Sequence, residues 1–197
     1  MSKLAVVVLA AGQSSRFGSA KQIALIDDRP LITHSIQAIQ DIDCAGRYVV
    51  LGANYDAVYE VVHNLPITVL KNDYWSEGMA SSIRLAVEEL KSFDAFLFLA
   101  ADQVVVKAEQ LNQLVNCWER HTDHIVAASY AATLGIPAIF PSSYFDALAS
   151  LRGDIGAKKI IRQNPQAVIG VEMPEALCDI DRVSDLPPQV LDGRPPS

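Results

Sequence analysis

The strongest constraint on this chain is an apolar run, Leu4-Ala-Val-Val-Val-Leu9, that passes directly into Ala10-Ala-Gly-Gln-Ser-Ser-Arg-Phe-Gly-Ser-Ala-Lys21. The run does not alternate with polar residues, so it reads as a strand buried on both faces, as in a parallel sheet covered by helices. The loop that follows such a strand lies at the edge where open α/β sheets hold their ligands. Gly12 and Gly18 allow a close approach of the backbone. Ser14 and Ser15 supply hydroxyls, and loop N–H groups can cradle an anion. Arg16 and Lys21 add two positive charges. Together these residues describe a loop suited to gripping a polyphosphate. The spacing from Gly12 through Gly18 to Lys21 is not that of a P-loop, and no G-x-G-x-x-G fingerprint occurs.

The remainder alternates strand and helix signals. Pro30 is expected at the first position of a helix whose buried stripe is Ile32, Ile36 and Ile39. Residues 47–52 and 67–70 read as strands, with a short helix around Val58, Val61 and Val62 between them. Residues 95–100 are the most apolar strand and are expected at the centre of the sheet. Residues 125–130 and 136–140 form an expected hairpin, which makes the sheet mixed. A late strand is expected over 167–171, and another over 177–181. His121 and His124 read as a surface loop, since no complete ligand set accompanies them.

Three further stretches carry chemistry. Residues 71–84 follow a strand, and Gly78, Ser81 and Ser82 stand near the start of a helix whose buried face is Met79, Ile83, Val87 and Leu90. Tyr74 and Trp75 read as core or interface aromatics. Asp102 follows the central strand, where a carboxylate is poorly explained by packing and well placed to hold a hard cation. Asp179 and Asp181 would share one face of a strand, where like charges repel unless a cation is near. Asp154 reads either as a helix N-cap or as a ligand-side residue, and Lys158 as a solvent-facing charge.

These stretches resemble motifs of the molybdenum cofactor nucleotidyltransferases, the MobA-like NTP transferase family. The first loop resembles the signature L-A-A-G-x-S-x-R-[MF]-G-x-x-K of their cytidylyltransferase branch. Asn72 to Arg84 resembles N-x-x-W-x-x-G-[ML]-x-x-S-[IL]-R. Ala101-Asp-Gln-Val104 resembles L-x-D-Q-P with valine in place of proline, and Gly153 to Lys158 resembles G-D-x-G-A-[RK]. Two departures stand out. Gly135-Ile-Pro137 replaces G-H-P, and Asp179-Ile-Asp181 lacks the T-P-E that follows in the family.

The resemblance implies a three-layer α/β/α, Rossmann-like (GT-A-like) nucleotidyltransferase fold with a mostly parallel mixed sheet. One domain is expected over 1–186, with a loose tail over 187–197. It also implies nucleotide contacts from Leu9, Ala10, Ala11, Gly12, Ser14, Ser15, Arg16, Lys21, Gly78, Ser81 and Ser82. Catalytic roles fall to Arg16, Lys21 and Asp102. Mg²⁺ would be held by Asp102 and Asp181, with Asp179 in support, and Gln103 and Asp154 would face the acceptor. The implied reaction transfers CMP from CTP to the phosphate of molybdopterin, with pyrophosphate released and a molybdoenzyme as the eventual recipient. A non-catalytic nucleotide or cofactor carrier, or a transferase for another small phosphate acceptor, is the alternative.

Composition agrees with this reading. The 197 residues are 50% hydrophobic and 20% charged, enough for one well-packed domain. A net charge of −7 argues against a general nucleic-acid binder. Cys44, Cys117 and Cys178 are widely spaced and form no CxxC, so neither zinc nor a disulfide framework is indicated and a cytoplasmic setting is expected. The apolar run after Lys3 is short for a signal peptide, and no run is long enough to span a membrane.

Overall fold

The computed structural model describes residues 2–14, 17–178 and 180. Strand β1 (Leu4–Ala10) is buried along its entire length. After the glycine loop, a helical turn at Lys21–Ile23 leads into a small antiparallel hairpin of β2 (Leu25–Ile26) and β3 (Arg29–Pro30). Pro30 therefore ends a strand and precedes α1 (Leu31–Ala38) instead of opening it. Then come β4 (Gly46–Leu51), α2 (Tyr55–Val62), β5 (Thr68–Lys71), α3 (Met79–Glu89) and β6 (Ala95–Ala100). The second half holds α4 (Ala108–Glu119), the hairpin of β7 (Ile125–Tyr130) and β8 (Thr133–Pro141), α5 (Phe145–Ala149), α6 (Lys158–Gln163) and β9 (Val168–Glu172).

Among the described residues the main sheet has seven strands in the order β5-β4-β1-β6-β8-β7-β9. β8 alone runs antiparallel to its neighbours β6 and β7, and β9 returns parallel to β7. β6 is the fourth of the seven, as its apolar sequence implied. From β1 the chain moves outward to β4 and β5, then crosses back to β6 on β1's other side. That reversal makes the C-terminal end of β1 a topological switch point, and crevices form where strand order reverses.

Helices cover both faces. Leu4, Val6 and Val8 pack with Ile32 and Ile36 of α1, Val58 and Val62 of α2, and Leu111, Leu114 and Trp118 of α4. Ala5, Val7 and Leu9 point the other way, into a core with Ile83 and Val87 of α3, Leu148 of α5, and Ile160 and Ile161 of α6. The period-two alternation of a strand divides β1 between two cores. The result is the three-layer α/β/α, mostly parallel arrangement expected from the sequence.

Some local expectations change. Met79 is 38% exposed and lies against Gly156 instead of joining the buried face of α3. The strand expected over 177–181 is absent at its described positions: Pro174–Leu177 is a helical turn, and Cys178 and Ile180 are in no strand. No helix among the described residues is long and apolar enough to cross a membrane.

Phe98 is fully buried, with ring centroids 5.7 Å from Phe96 and 6.1 Å from Phe140. Truncating it empties a space walled by sheet and helix that cannot readily collapse. Phe98→Ala is expected to lower unfolding free energy by about 3–5 kcal/mol. Leu25→Ala, at a side chain 48% exposed, should change it by roughly 0.5 kcal/mol or less. Urea denaturation monitored by circular dichroism checks both.

Candidate active site

The loop after β1 is held from below by a residue that the motif reading overlooked. Gln22 is 3% exposed, and its Nε2 donates to the Ala10 carbonyl at 2.9 Å and to the Gly12 carbonyl at 2.8 Å. The Ala11 carbonyl accepts from the Ala53 N–H at 3.0 Å, and the Phe17 N–H closes a turn onto the Ser14 carbonyl at 2.8 Å. Leu9, Ala10 and Ala11 are buried, whereas Gly12 and Gln13 are exposed. A Cβ added at Gly12 would meet none of the described residues within 4 Å. Packing against the described residues therefore does not require glycine there. Ser15 and Arg16 lie outside the described residues.

Lys21 and Asp102 meet. The Lys21 ammonium donates to Asp102 Oδ2 at 2.7 Å, with side-chain exposures of 12% and 23%. The two are 81 residues apart in sequence. What joins them is the sheet: Leu9 of β1 pairs with Ala100 of β6, so the chain segments leaving both strands emerge side by side. The Ala101 N–H donates to the Leu9 carbonyl at 3.1 Å, and Ser35 Oγ donates to the Ala101 carbonyl at 2.7 Å, so Asp102 sits on a fixed turn. The Ile180 N–H donates to the Asp102 carbonyl at 3.3 Å. The segment that carries the late carboxylates thus reaches Asp102, although Asp179 and Asp181 themselves lie outside the described residues.

Gln103, expected at the acceptor, is used internally. It is 2% exposed, and its Nε2 donates to the carbonyls of Ile136 and Ala176 at 3.0 and 3.1 Å. Its Oε1 accepts from the Ala100 N–H at 3.3 Å. With three bonds made inside the protein, the amide ties the ends of β6 and β8 to the turn before residue 180 and does not present itself to a ligand. Tyr130 OH also donates to the Ile136 carbonyl, at 3.4 Å.

Ser81 and Ser82 are likewise turned inward. Both are 3% exposed, and Asn72 Nδ2 donates to their hydroxyl oxygens at 2.8 and 3.0 Å. Ser81 Oγ donates in turn to the Gly78 carbonyl at 2.8 Å, and Asn72 Oδ1 accepts from the Tyr74 N–H at 2.9 Å. The hydroxyls therefore fix the 72–78 loop and are not open to a nucleotide. Asn72, the first residue of the second motif, is the organising group that the sequence reading passed over. Gly78 has φ +97°, and a Cβ there would come within 2.7 Å of the Asp154 and Gly153 backbone. Its glycine is required by that contact and by the left-handed backbone. Asp154 does cap a helix, but not its own: its Oδ1 accepts from the Met79 N–H at 3.4 Å, and the Gly153 carbonyl accepts from the Ala80 N–H at 3.2 Å. The start of α3 is thus covered by the 153–154 turn.

Trp75 is half-buried, and its Cβ lies where a Cβ at Gly52 would need to be, beside Ala11. The Lys158 ammonium stands 5.9 Å from the centre of the Tyr130 ring. His124 pairs with exposed Asp123 at 2.8 Å, which holds the Asp123 carboxyl below its ordinary range. No group of three His, Cys, Asp or Glu that could hold a metal occurs among the described residues.

Known proteins resemble this chain in sequence and in fold. The bifunctional protein GlmU of a Psychrobacter species is 30% identical over 118 residues, 56% of this chain and 25% of that protein. This chain thus matches only about a quarter of that relative's length. Nicotine blue oxidoreductase of Paenarthrobacter nicotinovorans is 26% identical over 91% of this chain and 93% of its own. Among solved structures, the homologue of Mycobacterium tuberculosis Rv0371c from Mycobacterium sp. strain JC1 superposes with a TM-score of 0.80 at 24% identity, covering 92% of each chain. Rv0371c of M. tuberculosis in complex with manganese gives 0.77 at 22%, covering 93% of this chain and 95% of that one. Molybdopterin-guanine dinucleotide biosynthesis protein A of Archaeoglobus fulgidus gives 0.69 at 16%, over 92% and 94%. These structures share the fold. The model of the MobA-like NTP transferase domain matches residues 6–168, from β1 to the first residue of β9, and the chain belongs to that family.

Proposed function

We propose that the protein transfers a nucleoside monophosphate from a nucleoside triphosphate to a phosphate-bearing small molecule, releasing pyrophosphate. CTP is the favoured donor and a molybdopterin-type compound the favoured acceptor. The observation that carries this reading is the meeting of Lys21 and Asp102 beside the glycine loop, at the switch point of the sheet. A phosphate oxygen is already a nucleophile, so the reaction needs no catalytic serine or cysteine. It needs alignment of the reacting groups and neutralisation of the charge at the α-phosphate.

Residue roles follow from position. The backbone of residues 9–14 seats the nucleotide, with Gly12 leaving room for it. Lys21, joined by Arg16, balances the phosphate chain and the departing pyrophosphate. Asp102 is a partly exposed carboxylate that already holds a cationic group at 2.7 Å, which suits a hard divalent ion such as Mg²⁺. Asp181, supported by Asp179, would complete the set; both flank Ile180, whose N–H donates to the Asp102 carbonyl. When bound, the ion supplies charge neutralisation and orientation of phosphate oxygens. A structural relative solved with manganese is in keeping with a divalent ion. Gly78, Ser81, Ser82, Gln103 and Asp154 shape the cleft from behind.

The acceptor side departs from the family resemblance at Ile136. Its carbonyl is braced by Gln103 and Tyr130, but its side chain cannot hydrogen-bond as a histidine does. The acceptor is therefore the part of the substrate most open to differ. The L-A-A-G form of the loop favours CTP by analogy with the cytidylyl branch. A second reading has one observation behind it: the oxidoreductase relative spans nearly the whole chain. That reading predicts a redox reaction and no release of pyrophosphate.

The direct test is pyrophosphate release from purified protein with Mg²⁺, each NTP and molybdopterin or related phosphates. Release with CTP supports the reading; its absence with every pair overturns it. A charge-assisted contact is worth about 1.5–3 kcal/mol, so Lys21→Met should lower kcat/KM by roughly tenfold or more. Gly12→Ala separates a ligand role from a folding role. Its thermal midpoint should match wild type, since the added methyl meets no atom of the described residues within 4 Å, while nucleotide affinity falls; calorimetric titration and thermal melting read the two.

A further inference from the structure

The Gln22 side chain is hydrogen-bonded to the backbone on both sides of Ala11, where the glycine loop leaves β1. Its Nε2 spends both protons on backbone carbonyls two residues apart, Ala10 and Gly12. The carbonyl between them, that of Ala11, is taken by the Ala53 N–H. Three consecutive carbonyl oxygens just beyond β1 are therefore all turned into the protein. A trans peptide is planar, with its N–H opposite its C=O. The N–H groups of Ala11 and Gln13 are then directed away from Gln22.

The direction away from Gln22 is the open side. Gln22 is 3% exposed, whereas Gly12 and Gln13 are exposed and a Cβ on Gly12 would meet none of the described residues within 4 Å. The acceptors of residues 10–12 are thus engaged inside the protein, while the Gln13 N–H lies on an exposed residue and the Ala11 N–H at its buried edge, which is the polarity a phosphate oxygen requires. The Gln22 side chain is fixed in this role. With both amide protons engaged, Oε1 is left buried without a hydrogen-bond partner. The reversed amide would instead set Oε1 against two carbonyl oxygens. An unpartnered buried acceptor is uncommon in a native fold, and here it accompanies the sequestering of two loop carbonyls.

We propose that Gln22 is a positioning residue that holds residues 10–13 with the Ala11 and Gln13 N–H groups toward the phosphate chain of a nucleoside triphosphate. This rests on the transferase reading above and names how its triphosphate is recognised. Gln22→Met keeps the side chain's length and removes its donors. The variant should melt within a few degrees of wild type, bind CTP–Mg²⁺ about tenfold or more weakly, and bind cytidine as wild type does. In ¹⁵N-resolved spectra of the wild type, CTP–Mg²⁺ and pyrophosphate–Mg²⁺ should both shift the Ala11 and Gln13 amides. A folded Gln22→Met protein with wild-type CTP affinity overturns the inference. So does a wild-type response to both probes that leaves those two amides unmoved, a readout that stands even if the variant does not fold. No response anywhere to any NTP overturns the transferase reading itself, and this inference with it.

Discussion

Parallel pairing of β1 with β6 is the constraint on which the site depends. Both strands are buried on two faces, so neither can carry a charge along its length, and the first positions open to polar chemistry lie just past their C-terminal ends. Register then does the placing. Because Leu9 stands opposite Ala100, the glycine loop and the Asp102 turn leave the sheet as neighbours. Backbone bonds from Ala101 to Leu9 and from Ala53 to Ala11 extend that registration one residue beyond the strands. The position of the charged pair is thus inherited from the hydrophobic core.

The pair itself adds little to the stability of the fold. Opposite charges about 4 Å apart gain roughly 4 kcal/mol at an effective dielectric constant near 20. Withdrawing each ion from water costs about several kcal/mol. For groups that retain exposures of 12% and 23% the desolvation cost offsets the attraction, so the pair is a weak source of stability. A contact close to break-even can be exchanged at small net cost. Under the proposed function, Asp102 would hold the divalent ion and Lys21 the phosphate. The surrounding struts, Gln22, Asn72 and Gln103, are different in kind: each is an uncharged amide, buried to within 3% exposure, whose bonds hold backbone groups or side-chain hydroxyls in place. Fixed neutral braces around an exchangeable charged pair are what a preorganised anion site requires.

Much of this was legible from the chain, for physical reasons that differ residue by residue. β1, β6 and Asp102 could be read because burial on two faces leaves an unbroken apolar run, and a carboxylate just after it stands out. Lys21 was legible as a charge but not as Asp102's partner, since that depends on strand order. Ser81 and Ser82 were read as ligand groups because a hydroxyl near a helix start looks the same whether it faces solvent or a buried amide. Only the fold shows that Asn72 has claimed them. Asp154 was half-read: its capping role was foreseen, but it serves a helix 75 residues earlier, which local spacing cannot reveal. Gln22 and Gln103 were obscured by stronger neighbours, each standing beside a charged motif residue. The roles of Asp179 and Asp181 rest on the family resemblance and on the bond that brings Ile180 to Asp102.

The central claim is that Lys21 and Asp102 act on one bound triphosphate from opposite ends of an exchangeable pair. A double-mutant cycle on the affinity for CTP–Mg²⁺, with Lys21→Met, Asp102→Asn and the two combined, tests it most directly. If both groups serve the same ligand, the combined loss should fall short of the sum of the single losses by about 0.5–3 kcal/mol. Strictly additive losses would mean that the two residues contribute independently, and would contradict the account.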